Sequence, residues 1–177
     1  MTQQTVTEID KKYARTYYNR GVAQANLNNF RDAIADFNQA LKFNPKDAIA
    51  FNDRGNSKAR LGEHHDAIAD YNEAIKINPK YAIAFNNRGN SKAQLGEHIN
   101  AIADYNEAIK INPKYADTYN NRGITKAKLG DFHNAITDFN QAIKINPKDA
   151  DTYNSRGFAK AQSGDFHNAI ADFIQAI

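Results

Sequence analysis

Gly21, Gly55, Gly89, Gly123 and Gly157 stand 34 residues apart, and Pro45, Pro79, Pro113 and Pro147 keep the same interval. The text between them repeats as well. FNNRGNSKAQLGEHINAIADYNEAIKINPKYA, from Phe85 to Ala116, returns as YNNRGITKAKLGDFHNAITDFNQAIKINPKDA, from Tyr119 to Ala150. A chain of this kind does not gather around one central core. Each unit is too short to bury its apolar face alone and must lay it against the next unit, so the period dictates a stacked array. The repeats place a lead-in over 1–13, four units over 14–47, 48–81, 82–115 and 116–149, and an incomplete fifth over 150–177.

Each unit reads as two helices. Ala82 to Leu95 is rich in helix formers and stops at Leu95-Gly96, where glycine supplies the positive φ of a helix end. A second helix starts near Glu97. In it Ala101, Ile102, Tyr105, Ala108 and Ile109 follow the i, i+3, i+4, i+7, i+8 spacing of one apolar face. Asn112-Pro113 ends it, because a residue before proline avoids the helical region and proline lacks a donor N–H. Gly89, Ala93, Ala101 and Ala108 are small enough for two helices to approach closely, with Phe85, Leu95 and Tyr105 filling the space between.

The series Phe85, Gly89, Leu95, Gly96, Ala101, Tyr105, Ala108, Pro113 resembles the tetratricopeptide repeat family, at that family's own period, over residues 14–177. The resemblance implies an all-α fold, a right-handed α-solenoid or superhelix of stacked helix-turn-helix repeats with the first helices lining a concave groove. It also implies a non-catalytic scaffold or adaptor that binds protein. Two positions depart from the family pattern. Arg20, Arg54, Arg88, Arg122 and Arg156 stand where leucine is usual, and Gln24, Lys58, Lys92, Lys126 and Lys160 where tyrosine is common. The first copy has Leu27-Asn28 for Leu-Gly and the last Ser163-Gly164. Each arginine has an aspartate sixteen residues on, namely Asp36, Asp70, Asp104, Asp138 and Asp172, so the two columns are expected to pair along the stack.

Family members that hold carboxylate-ended peptides carry Lys and Arg on their first helices. Here the matching places hold Tyr18, Val22, Asp53, Ile83 and Asn87, so that clamp is missing. Asparagine takes its place. Tyr18-Asn19, Asn52-Asp53, Asn86-Asn87, Asn120-Asn121 and Asn154-Ser155 recur on successive first helices, although asparagine is a mediocre helix former. A carboxamide both donates and accepts, and can pair with the backbone of an extended peptide whatever its sequence. Asn56, Asn90, Ile124 and Phe158 flank this ladder, and Tyr18, Ile124 and Phe158 are the candidate side-chain anchors. On this reading the asparagines face the groove, and replacing Asn86 and Asn120 by alanine leaves melting unchanged or slightly raised. The competing reading is that they only solvate it.

Little else in the chain suggests chemistry. Cysteine is absent, which removes disulfides and thiolate ligands. His64 and His98 share one repeat position, and His65, His133 and His167 the next; copies in neighbouring repeats are a helix-packing distance apart, too far to hold one metal, and are expected to be solvated. No phosphate-cradling loop or nucleophile elbow is present, so neither cofactor nor enzyme activity is expected. A net charge of +3, with lysines interleaved among acids, leaves an RNA-binding array far behind a protein partner. No apolar stretch suits a signal or a membrane span, and a cytoplasmic setting is the default. Phe166, Ile170, Phe173, Ile174 and Ile177 leave an apolar end face, with Ile174 replacing the asparagine of Asn38, Asn72, Asn106 and Asn140. Either the chain is a piece of a longer array or a second copy covers that face. The latter makes a self-assembling scaffold, a homo-oligomer through the terminal repeat, the alternative function.

Overall fold

The computed structural model describes residues 7–177. Among them there are ten helices and no strand: α1 (Glu8–Asn26), α2 (Phe30–Phe43), α3 (Ala48–Arg60), α4 (His64–Ile77), α5 (Ala82–Gln94), α6 (His98–Ile111), α7 (Ala116–Lys128), α8 (Phe132–Ile145), α9 (Ala150–Gln162) and α10 (Phe166–Gln175). The fold is all-α, built from helix-turn-helix repeats. The chain divides into two compact units, Met1–Ser91 and Lys92–Ile177, with the division inside α5. In the first, α1 packs on α2, α2 on α3 and α3 on α4; in the second, α6 packs on α7 and α7 through α10 follow in the same order.

The expected turns are present, and the backbone explains them. Gly62, Gly96, Gly130 and Gly164 have φ of 79 to 89°, and Asn28 substitutes for them at 61°. After α3 the N–H of Glu63 reaches the carbonyl of Lys58 at 3.0 Å and that of Gly62 reaches Ala59 at 3.0 Å, the pair of bonds that closes a helix end. The helices α2, α4, α6 and α8 each stop at an asparagine pushed out of the helical region by the following proline, as at Asn78 with φ −127° and ψ 91°. The end of the lead-in is helical. α1 begins at Glu8, within the span assigned to it, because Thr7 caps the helix: its hydroxyl accepts from the Asp10 N–H at 3.1 Å while the Asp10 carboxylate accepts from the Thr7 N–H at 3.0 Å. The first six residues of the lead-in lie outside the described ones.

The glycines Gly21, Gly55, Gly123 and Gly157 of the first helices serve packing, not a turn. A Cβ at Gly123 would stand 2.7 Å from the Phe139 ring, at Gly55 2.7 Å from Tyr71 and at Gly21 2.8 Å from Phe37. Those rings are about 1% exposed. Around them Ala33, Ala67, Ala101 and Ala135 are fully buried. Of the apolar face expected in the third unit, Ala101, Tyr105 and Ala108 are buried whereas Ile102 and Ile109 are half-buried, as are Phe85 and Leu95.

The arginine column pairs with the aspartates. Arg20, Arg54, Arg122 and Arg156 each grip the aspartate sixteen residues on with two parallel bonds, Nε at 2.8 to 2.9 Å and Nη2 at 2.5 to 2.6 Å. The lysine four residues after the arginine joins the same carboxylate: Lys58 reaches Asp70 at 2.8 Å, Lys92 reaches Asp104 at 2.8 Å, Lys126 reaches Asp138 at 2.7 Å and Lys160 reaches Asp172 at 2.7 Å. The remaining guanidinium nitrogen donates to an asparagine of the preceding second helix, Arg54 to Asn38 at 2.6 Å, Arg88 to Asn72 at 2.7 Å, Arg122 to Asn106 at 2.6 Å and Arg156 to Asn140 at 2.7 Å. The guanidinium also lies 5.2 to 5.6 Å over the ring three residues before it, Phe51 under Arg54 and Tyr119 under Arg122. Burial works against the Asp172 carboxylate, yet the bonds from Arg156 and Lys160 prevail and hold its pKa below the ordinary aspartate value.

The glycine geometry reverses the usual helix rule. Alanine in place of a mid-helix glycine normally stabilises by about 0.5 to 1 kcal/mol, but here the methyl would press into a buried ring 2.7 Å away. Gly123→Ala is expected to destabilise by about 1 to 3 kcal/mol, the overpacking range, read as a lower urea midpoint. A rise in the midpoint would show that the Phe139 ring can yield.

Candidate functional site

Adjacent residues on a helix point about 100° apart, so the two members of an Asn-Asn pair cannot face the same way. The structure sorts them accordingly. In the first unit Asn52 and Asn86 are 2% and 3% exposed, and Asn56, Asn87 and Asn90 are half-buried. Asn87 of α5 donates through Nδ2 to the Oδ1 of Asn52 at 3.0 Å and of Asn56 at 2.9 Å, both on α3. The Tyr71 hydroxyl donates to the same Asn56 oxygen at 2.9 Å. Asn52 in turn donates to Asp53 at 3.0 Å, whose carboxylate also takes the Tyr18 hydroxyl at 2.7 Å. Burial first, and Asp53 second, push the Tyr18 hydroxyl pKa up. These amides therefore tie one first helix to the next. The expectation that they all stand open to a ligand, and that Asn86 carries no core contact, is corrected by the burial of Asn52 and Asn86.

The second unit presents the same seam with different residues. Two periods after Asn52, Asn56, Tyr71, Asn87 and Ser91 stand Asn120, Ile124, Phe139, Ser155 and Ala159. Serine is too short to replace the Asn87 bridge and Ile124 offers no acceptor. Asn120 Oδ1 is shielded from solvent with no partner among the described residues, a loss costing about 1 to 3 kcal/mol for a buried polar group. Ala135, Phe139 and Ala159 form an apolar cluster backed by Ile124, Ala127, Phe132 and Ile136. Beside it opens a cavity of about 590 Å³ lined by α7 to α10, with Ile124, Phe132, Phe158 and Phe173 on its walls and Asn154, Ser155, Lys128 and Gln162 among its polar lining. Phe158 is 54% exposed and Asn154 is exposed.

Of the residues singled out in the sequence, the cavity thus gathers Ile124, Asn154 and Phe158. Asn19 is exposed on α1, Tyr18 is committed to Asp53, and Asn121 is half-buried on α7. Phe132 and Phe139 were missed, Ser155 was read only as the partner of Asn154 in the ladder, and Phe173 only as part of the apolar end face. Their signal was a covariation between repeats: the second-helix ring is tyrosine where the first helix carries Asn56 or Asn90, and phenylalanine where it carries Val22, Ile124 or Phe158. Burial raises the Tyr105 hydroxyl to about 12 despite a bond to Thr125, so this ring position remains uncharged at neutral pH. The histidines are not all solvated. His65, His133 and His167 are exposed, whereas His64 and His98 are half-buried with Nδ1 shielded from water, because the start of the second helix packs that ring position inward.

Comparison with known proteins follows the repeat boundaries. Residues 14–47 and 116–149 match one tetratricopeptide repeat model, residues 150–177 another, and residues 55–96 and 89–130 a TPR repeat model. The chain belongs to the tetratricopeptide repeat family. Among solved structures it is similar to the MamA protein, with a TM-score of 0.80 and 25% identity over 93% of this chain and 90% of that one. TTC0263, a thermophilic TPR protein in Thermus thermophilus, aligns with a TM-score of 0.78 and 21% identity over 92% of this chain and 89% of that one. YrrB, described as a TPR protein with an unusual peptide-binding site, aligns with a TM-score of 0.73 and 20% identity over 96% and 88%. The latter two likenesses show the fold alone. A search of curated proteins returned no match. Among the described residues no helix is long and apolar enough to cross a membrane, and no cluster of His, Cys, Asp or Glu could hold a metal ion.

The buried amide network has a direct consequence for stability. Asn52→Ala removes the oxygen that receives Asn87 and is expected to cost about 1 to 3 kcal/mol, outweighing the helix propensity gained, which is below about 1 kcal/mol. Thermal melting checks this, and an unchanged melting temperature would return the asparagines to the role of free groove residues.

Proposed function

We propose that this chain is a non-catalytic scaffold that holds an extended segment of a partner protein on its first helices, in a cytoplasmic setting. The observation that carries the reading is the open cavity of the second unit, about 590 Å³ with Phe158 54% exposed at its wall. Soluble proteins seldom leave a large aromatic standing beside an apolar cavity without a use for it. Family membership supports a protein ligand, and YrrB's description as having an unusual peptide-binding site is in keeping with it. The exposed amides and lysine around the cavity suit a peptide backbone, which needs both donors and acceptors. Asn154, like Asn19, is an exposed rung of the asparagine ladder, while Asn52 contributes by tying α3 to α5 through Asn87.

Selection of peptides from a random display library against the immobilised protein tests the reading. It is expected to enrich sequences whose binding falls about tenfold or more in Phe158→Ala, the scale of losing one apolar anchor, about 1.4 kcal/mol or more. Enrichment of nothing, or of sequences indifferent to Phe158, would remove the groove as the site.

A second reading rests on α10, where Phe166, Ile170 and Ile174 are 66, 60 and 62% exposed along one apolar face. Such a face supports self-association. Sedimentation at high concentration is expected to show a reversible oligomer that Ile174→Lys abolishes; a strict monomer for the unmodified chain would end this alternative.

A further inference from the structure

The first and second units carry the same seam in two chemical versions. In one, Asn52, Asn56, Tyr71 and Asn87 bond to each other across α3, α4 and α5 at 2.9 to 3.0 Å. In the other, Asn120, Ile124, Phe139 and Ser155 hold the corresponding places on α7, α8 and α9, and the bridging amide is gone. Three changes that act together, Asn to Ile, Tyr to Phe and Asn to Ser, each subtract a polar group from one spot. The trace they leave is the shielded Asn120 Oδ1, whose counterpart in Asn52 accepts from Asn87. A native structure that carries a buried unpartnered acceptor beside an apolar cavity has kept a local cost that better packing or one asparagine would remove, which is the pattern of a binding site. Even the entrance follows: Phe132 stands two periods after His64 and lines the cavity.

The lining also specifies the chemistry of what enters. Four phenylalanine rings, Phe132, Phe139, Phe158 and Phe173, and Ile124 form walls to which an aromatic or large aliphatic side chain is matched, ring against ring or ring against methyl. Lys128 and the amides of Asn154 and Gln162 supply the polar lining, which contains no carboxylate. A basic lining without an acid favours a ligand with a negative neighbour to the anchor.

Resting on the peptide-groove reading, we infer that this seam is a specificity socket for a large apolar side chain next to an acidic residue in the bound segment, and that Ile124, Phe139 and Ser155 are the residues that open it. The second unit is the selective half of the protein; the equivalent seam in the first unit is closed by its own amides.

The test transplants the closed seam. The probe is the fluorescein-labelled peptide Gly-Ser-Gly-Phe-Glu-Gly-Ser, compared with versions in which Phe becomes Ala or Glu becomes Lys, and binding is read by anisotropy at low salt. The variant is Ile124→Asn with Phe139→Tyr and Ser155→Asn, which imports side chains already seen to pack together in the first unit, and Ser155→Asn alone is made in case the triple variant does not fold. Expected is a loss of about tenfold or more for the triple variant and for the Ala peptide, and a smaller loss for the Lys peptide. Ser155→Asn alone should melt no lower than the unmodified protein, since it restores a partner for Asn120, and should weaken the Phe-Glu peptide. If library-selected peptides bind but none distinguishes Phe from Ala, or if both variants fold and bind as before, the socket is wrong while the groove reading stands. If no peptide binds at all, both fail.

Discussion

The buried aspartate of each second helix is the interaction on which this architecture depends. Asp36, Asp70, Asp104, Asp138 and Asp172 are 3 to 5% exposed, and a carboxylate stripped of water to that extent costs several kcal/mol unless its charge is met and its lone pairs are filled. Among the described residues the answer comes from the partner helix: Arg20 alone on Asp36, and elsewhere an arginine and, one turn later, a lysine, as Arg54 and Lys58 on Asp70. Residues four apart share one helix face, so both cations reach a single carboxylate only when the two helices have one rotation and one offset. Removing one member of such a set leaves an uncompensated charge and costs about 3 to 5 kcal/mol, whereas replacing the whole set with apolar residues is often neutral. What the ions secure is register. The third guanidinium nitrogen carries it onward, because its asparagine partner belongs to the preceding repeat, as Arg122 to Asn106.

With register secured by charge, the remaining contacts are free to vary. Close approach is set by a glycine facing a ring, as Gly55 faces Tyr71 and Gly123 faces Phe139, and the ring's para position then decides what stands beside it. A hydroxyl there recruits Asn56 and draws in the Asn87 amide. Its absence leaves Ile124 and a cavity. A ring hydroxyl, an acceptor amide and a bridging amide together thus separate a seam closed by polar bonds from one that leaves a cavity, and neither version disturbs the ionic frame around it. Repetition makes such differentiation inexpensive, since each repeat's contacts are mostly with its neighbours and a local change stays local.

The repeats also show how far a sequence can be read. Helix ends at Gly62, Gly96 and Gly130, the stop before each proline, the small-against-large packing and the Arg to Asp spacing are all local or periodic, and all were legible. The asparagine ladder was legible as a pattern and misread as a surface. A helical asparagine at a given position faces solvent or a neighbouring helix according to how adjacent repeats pack, which no single repeat contains. Phe139 was overlooked and Ser155 read only as a rung of the ladder because each looks ordinary alone, and their meaning lies in being opposite Ile124 and Asn120.

The sequence by itself determined the all-α repeat architecture, its period, its turns and the ionic pairs, since these depend on backbone propensity and on spacing along the chain. Only the tertiary structure decided which amides are ties and which are free, and that Ile124, Asn154 and Phe158 border one cavity with Phe132 and Phe173. The physical reason is that burial and hydrogen-bond partnership are properties of pairs of repeats brought face to face. Asn52 and Asn154 occupy the same repeat position and differ only in what lies against them.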